Sequence, residues 1–88
     1  MKYKELLKEF KSLDDSKVII VHLKDNRGVM LDNDDALYLN SDVIQFDINY
    51  QTETNTLLIN VNEIDDFIVI DKREVVAVTL MQILSCGD

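Results

Sequence analysis

Between Arg27 and Lys72 the sequence places no lysine, no arginine and no histidine, although ten carboxylates fall in the same interval. A surface built from such a stretch repels nucleic-acid phosphates and anionic membranes, both of which need basic patches. It attracts a basic protein surface or a cation instead. Glycine occurs only twice, at Gly28 and Gly87, so no phosphate-cradling loop can be assembled, and there is no nucleophile elbow. The single cysteine, Cys86, excludes an internal disulfide framework and fits a reducing compartment, which makes the cytoplasm the expected location. Nor does any apolar run approach the roughly eighteen residues that span a bilayer. The first thirteen residues alternate lysine with apolar groups, unlike the uninterrupted apolar core of a secretory signal.

What is present is a chain of 88 residues, enough for one domain with a single core and little reserve for a second module. Nine basic residues against seventeen acidic ones leave a formal charge of −8, and the shortage of bases sets the chain apart from ordinary globular proteins. The charge is also unevenly spread. Residues 12–71 hold most of the acids, while the remaining bases cluster towards the two ends.

Tyr3, Leu6, Leu7, Phe10 and Leu13 recur at the spacing of an amphipathic helix, with Lys4, Lys8 and Lys11 on the opposite face, so residues 2–13 are expected to be helical. Asp14, Asp15 and Ser16 end it in a polar turn. The β-branched run Val18 to Leu23 reads as a central strand covered on both faces. Gly28 is expected to supply the positive φ of a hairpin that returns through Val29, Met30 and Leu31. The acidic tetrad from Asp32 to Asp35 then makes a bulge or an exposed loop before Ala36 to Leu39.

From Val43 to Tyr50 the alternation is cleanest, with Ile44, Phe46, Ile48 and Tyr50 inward and Gln45, Asp47 and Asn49 outward. A turn at residues 52–55 leads to a strand carrying Leu57, Ile59 and Val61, and Phe67 to Ile70 forms another. In residues 75–84, Asp71 and Glu74 have capping-box spacing, yet Val75, Val76, Val78 and Thr79 favour a strand. The expected fold is therefore mainly β (α+β): one domain, 1–88, with an N-terminal amphipathic helix followed by five or six short antiparallel strands over 17–84. In element order and strand length this layout resembles a small barrel of the SH3 or Sm type, which implies a strongly bent sheet with the helix over one opening. An open antiparallel sheet packed on the helix is the alternative, and free strand edges are one route to a homodimer.

Two carboxylate clusters, Asp32/Asp34/Asp35 and Glu63/Asp65/Asp66, are of the type that holds hard cations. The first starts like a calcium loop but has Ala36 at the third ligand position, Leu37 in place of the turn glycine and Val43 where the closing glutamate belongs. Solvated turns are the simpler reading, and no metal or cofactor is expected. His22 sits inside an apolar strand and reads as a hydrogen-bonded structural histidine rather than a general base. Cys86 has no cationic neighbour to activate it. The helix lysines, interleaved with Glu5 and Glu9, neutralise few phosphates and read as a solvated face. No enzyme is indicated.

The remaining signal is the acidic block itself, whose plainest reading is solubility alone. Its functional reading is a rigid face on which Asp32, Asp34, Asp35, Asp47, Asp65 and Asp66 present negative charge to a cationic groove, much as phosphates do. In size, acidity and lack of catalytic motif the chain is similar to small phage-encoded inhibitors, including anti-CRISPR and other counter-defence proteins. That resemblance transfers no residue. It implies a non-enzymatic protein that docks on a basic-surfaced, nucleic-acid-handling or defence partner and inhibits or regulates it, without contacting nucleic acid or membrane directly. The alternative is a homo-oligomeric small barrel that binds a small ligand, such as a nucleotide signal, at subunit junctions through His22, Tyr38 and Tyr50.

Overall fold

The computed structural model describes residues 2–75. The amphipathic spacing at the N-terminus produces α1 (Lys2–Lys11), which buries Leu6 completely and lays Tyr3 and Phe10 against the core. Its end tightens rather than continuing: Ser12 N–H donates to the Glu9 carbonyl and Leu13 N–H to the Phe10 carbonyl, each over three residues. Asp14 then accepts from the backbone N–H and the hydroxyl of Ser16, a local ring that turns the chain into the first strand.

Six strands follow: β1 (Lys17–Leu23), β2 (Gly28–Leu31), β3 (Ala36–Asn40), β4 (Val43–Tyr50), β5 (Glu53–Asn60) and β6 (Ile64–Asp71). They pair as two three-stranded antiparallel sheets, ordered β2-β1-β6 and β3-β4-β5, with β1 and β4 at the centres. The fold is thus mainly β with an N-terminal helix, as the alternation implies, but among the described residues the strands do not close into a barrel. The ladder breaks twice. The acidic tetrad turns the chain from β2 into the other sheet, and a short 3-10 turn, η1 (Val61–Glu63), takes it back from β5 into β6. With Gly28 the only glycine among the described residues, nothing between β2 and β6 supplies the glycine-assisted bends through which one sheet curls onto itself.

Four sequence expectations shift in detail. The positive φ of the β1–β2 hairpin belongs to Asn26 (φ 70), while Gly28 is an ordinary strand residue opposite His22. Asparagine tolerates the left-handed region, and Asp25 accepts from Arg27 N–H to hold the loop. The β4–β5 turn lies at Gln51–Thr52, so β5 begins at Glu53, inside the segment expected to be loop. Tyr50, expected inward, is 66 % exposed because it pairs with Glu53 at the hairpin tip, beyond the core. Residues 72–75 are helical, so the strand expected from Val75 does not start there, and the rest of that segment, from residue 76 on, lies outside the described residues.

Both sheets and the helix share one core. Ile19, Val21, Leu23, Val29, Leu31 and Ile64 from the first sheet meet Ile44, Phe46 and Ile59 from the second, with Leu6 from α1. Two backbone bonds fasten the η1 crossover, one to each sheet: Val61 N–H donates to the Asp42 carbonyl of the β3–β4 turn at 2.8 Å, and Lys24 N–H, just after β1, donates to the Glu63 carbonyl at 2.9 Å. No helix among the described residues is long and apolar enough to cross a membrane.

Candidate interaction surface

The β2–β3 turn is a compact hydrogen-bonded device. Asp32 Oδ1 accepts from Asp34 N–H at 2.9 Å, an Asx-type closure. Asp35 uses both oxygens on backbone: Oδ2 accepts from Asp32 N–H at 2.9 Å and Oδ1 from Asn49 N–H at 2.8 Å. Asn49 returns the contact by donating its side-chain N–H to the Asp34 carbonyl. The turn is thereby fastened to the far end of β4. Asp35 is half-buried and committed to that fastening, whereas the exposed Asp34 carboxylate has no partner among the described residues.

Strand register determines what lies beside this turn. In antiparallel ladders directly opposed residues share a face. The outer face of β3-β4-β5 therefore carries the rows Ala36–Asp47–Thr56 and Tyr38–Gln45–Leu58, with Asn49–Thr54 at the end nearest the turn. Asp47 Oδ1 accepts from Gln45 Nε2 at 3.0 Å and Thr56 Oγ1 at 2.9 Å, so the carboxylate is oriented while Oδ2 keeps its acceptor capacity. Tyr38 is 52 % exposed and Leu58 66 %. An aromatic ring, an amide and a leucine in one row, flanked by an oriented carboxylate, form a mixed surface of the kind found at protein interfaces.

The electrostatics of the two sheets differ. No base occurs in β3, β4 or β5. Among the described residues, every ion pair lies in the helix, the first sheet or its hairpin and C-terminal turn: Lys2 with Glu5 and Asp66, His22 with Asp65, Arg27 with Asp25, and Arg73 with Asp71. Asp32, Asp34, Asp35 and Asp47 have no cationic partner there.

Asp65 and Asp66 are differently placed. In the β1–β6 ladder the register slips between His22 and Leu23, leaving Asp65 as the extra residue of a bulge, and its Oδ2 lies 3.0 Å from His22 Nδ1. Asp66 accepts from Phe67 N–H at 2.8 Å and faces Lys2 Nζ at 3.3 Å. That backbone bond, reinforced by Lys2, holds its carboxyl below the usual range, and Asp66 in turn raises the Lys2 ammonium. Along β1, Val18 lies next to the position facing Leu31, beside the acidic turn, while His22 faces Asp66. Four residues of strand, about 13 Å, separate those levels. The six sequence-selected carboxylates therefore divide: Asp32, Asp34 and Asp35 join Asp47 around Asn49, while Asp65 and Asp66 stand with His22 and Lys2. No group of three or more potential metal ligands gathers among the described residues.

His22, Tyr38 and Tyr50 do not converge within one chain. His22 lies on the outer face of the first sheet, Tyr38 on the outer face of the second, and Tyr50 at a hairpin tip with the opposite strand parity. Instead, Lys2, Tyr3, Lys24, Val61, Asn62 and Ile64 line an open cleft of ≈ 240 Å³. Sequence reasoning missed this cleft and the anchoring role of Asn49, since both depend on residues distant in the chain. The alternation of Leu57 and Ile59 left Leu58 legible as outward-facing, whereas Thr54 fell in the stretch expected to be a turn. Comparison with protein-family models, with curated proteins and with solved structures finds no match for this chain.

Proposed function

We propose that the chain is a non-enzymatic binding protein that docks the outer face of β3-β4-β5, together with the Asp32–Asp35 turn, on a basic-surfaced protein that handles nucleic acid, and so inhibits or regulates it. The observation that carries the reading is a base-free sheet whose carboxylates lack cationic partners while the acids of the other sheet have them. Asp34 and Asp47 supply charge, and the row Tyr38–Gln45–Leu58 supplies the contact area that charge alone does not. Complementary charge speeds encounter, and the association weakens as salt screens it. The inhibitory role agrees with the resemblance to small phage-encoded inhibitors.

The test is a titration against candidate nucleases and polymerases at low and high ionic strength. Asp34→Asn and Asp47→Asn are expected to slow association and flatten its salt dependence, Tyr38→Ala to weaken binding about tenfold or more, and Asp65→Asn to leave it unchanged. Salt-insensitive binding, or binding indifferent to Asp34 and Asp47, overturns the reading.

A second reading, small-ligand binding, is favoured by the cleft lined by Lys2, Tyr3 and Lys24. In a homo-oligomer a subunit junction would have to complete it, and native mass spectrometry that finds one bare chain removes that version.

A further inference from the structure

A strand at the edge of a sheet exposes unpaired backbone groups, and proteins blunt such edges by shortness, bulges, charges or a covering element. Among the described residues, one of the four edge strands lacks every such device. β2 has four residues and β3 five. β6 is bulged at Asp65 and flanked by α1, whose Lys2 reaches Asp66. β5 has eight residues, an unbroken register against β4, no proline, no base and a single acid, Glu53, at its hairpin end. The seven residues after it, Thr-Asn-Thr-Leu-Leu-Ile-Asn, are uncharged.

The β4–β5 register fixes which backbone groups of that edge are open. Val61 N–H bonds the Asp42 carbonyl, and bonded pairs alternate along an antiparallel ladder, so Glu53, Asn55, Leu57 and Ile59 turn their N–H and C=O towards β4. Thr54, Thr56, Leu58 and Asn60 turn theirs away, and no backbone bond meets them among the described residues. Their side chains stand on the outer face, where Leu58 is 66 % exposed. This set is self-complementary about a two-fold axis. When a second β5 lies antiparallel with Leu57 opposite Leu57, Thr54 faces Asn60 and Thr56 faces Leu58 of the other copy, and all four residues of each edge are paired. Moving the axis one residue either way leaves one of the four unmatched.

The same register answers the repulsion between two chains of charge −8. It sets the two Glu53 side chains eight residues apart along the strands, roughly 26 Å, and the two Asp47 side chains three strand spacings apart, roughly 14 Å. Both separations exceed the Debye length of about 8 Å at physiological salt. A foreign extended peptide is the poorer occupant, because seven uncharged residues give it no charge to be recognised by, whereas a second copy matches every open group.

We propose that the chain forms a two-fold homodimer through its β5 edges, joining β3-β4-β5 of each copy into one continuous six-stranded sheet. In sedimentation equilibrium the full-length chain is expected at twice the mass of one chain. The dimer should tighten as salt rises, because screening relieves the repulsion of like charges, the opposite sign to docking on a basic partner. Leu58→Pro removes an edge N–H that a single chain does not use, and Leu58→Glu adds like charge at the contact on a side chain outside the core. Each is expected to halve the mass with far-ultraviolet circular dichroism unchanged. Cross-linking in a Cys86→Ser background reads the register. Leu57→Cys, on the axis, should oxidise to a disulfide-linked pair, and Thr54→Cys, roughly 20 Å from its copy, should not. A single-chain mass at the highest concentration reached overturns the proposal. So does a dimer that survives both Leu58 substitutions, or cross-linking at Thr54→Cys in place of Leu57→Cys.

Discussion

Asp35 has two oxygens and two backbone donors, one on its own turn and one fourteen residues later in β4, and that pairing locks the β2–β3 turn to the second sheet. Bonds to a carboxylate are stronger than neutral ones, and Asp35 is partly shielded from water. Asp35→Ala is therefore expected to cost about 1–3 kcal/mol in urea unfolding. Asp34→Ala, which loses no partner, should stay within about 0.5 kcal/mol. Sequence reasoning found both residues but not their difference, because the difference is made by Asn49. A second expectation concerns acid. Backbone and side-chain donors hold the carboxyls of Asp14, Asp25, Asp66 and Asp71 below their ordinary value. A carboxyl depressed in the folded state stabilises it above the unfolded pKa, about 4, and loses that contribution as pH falls through the lower folded value. Thermal midpoints should be flat in this respect above about pH 5 and fall below about pH 4. Asp66→Asn should make the acid limb shallower, by a small amount, because the group is exposed and screened by water.

At the scale of the element, β4 was readable except at its end, where Tyr50 runs beyond the core. Its period-two alternation put Ile44 and Phe46 inward, and both are completely buried, because a central strand in a two-faced sheet has one face for the core and one for solvent. The turns were less readable. The β3–β4 and β4–β5 loops each put a residue with a side chain in the left-handed region, Ser41 at φ 58 and Gln51 at φ 56, where sequence rules look for glycine or asparagine. Such a residue costs about 1–2 kcal/mol, and the tight register of the flanking strands imposes it. Glycine at the exposed Gln51 removes the steric cost and returns part of it as unfolded-state entropy. Gln51→Gly is therefore expected to stabilise by up to about 1 kcal/mol in chemical denaturation, with no change in near-ultraviolet circular dichroism. Gln51→Val, β-branched, should destabilise.

For the whole molecule, the order of elements was legible and the closure was not. Alternation and turn residues locate strands, but whether β2 pairs with β3 depends on what the four residues between them bond to, and Asp35 bonds to β4. Charge segregation was likewise visible along the chain, though only pairing across strands separates the compensated carboxylates from the uncompensated ones. One feature of the topology also bears on how the chain acquires its shape. The strands β3, β4 and β5 are a meander of near neighbours, while β1 must find β6 across the whole intervening chain, Lys17 meeting Asp71 and Leu23 meeting Ile64. Closing a long loop is entropically costly before its contacts repay it, so the meander is expected to zip first and the β1–β6 ladder last. In pulse-labelled refolding, amides of Phe46 and Leu57 should gain protection before those of Ile20 and Ile68. The surface proposed to meet a partner would then be the earliest part of the molecule to exist, assembled while the termini are still searching for each other.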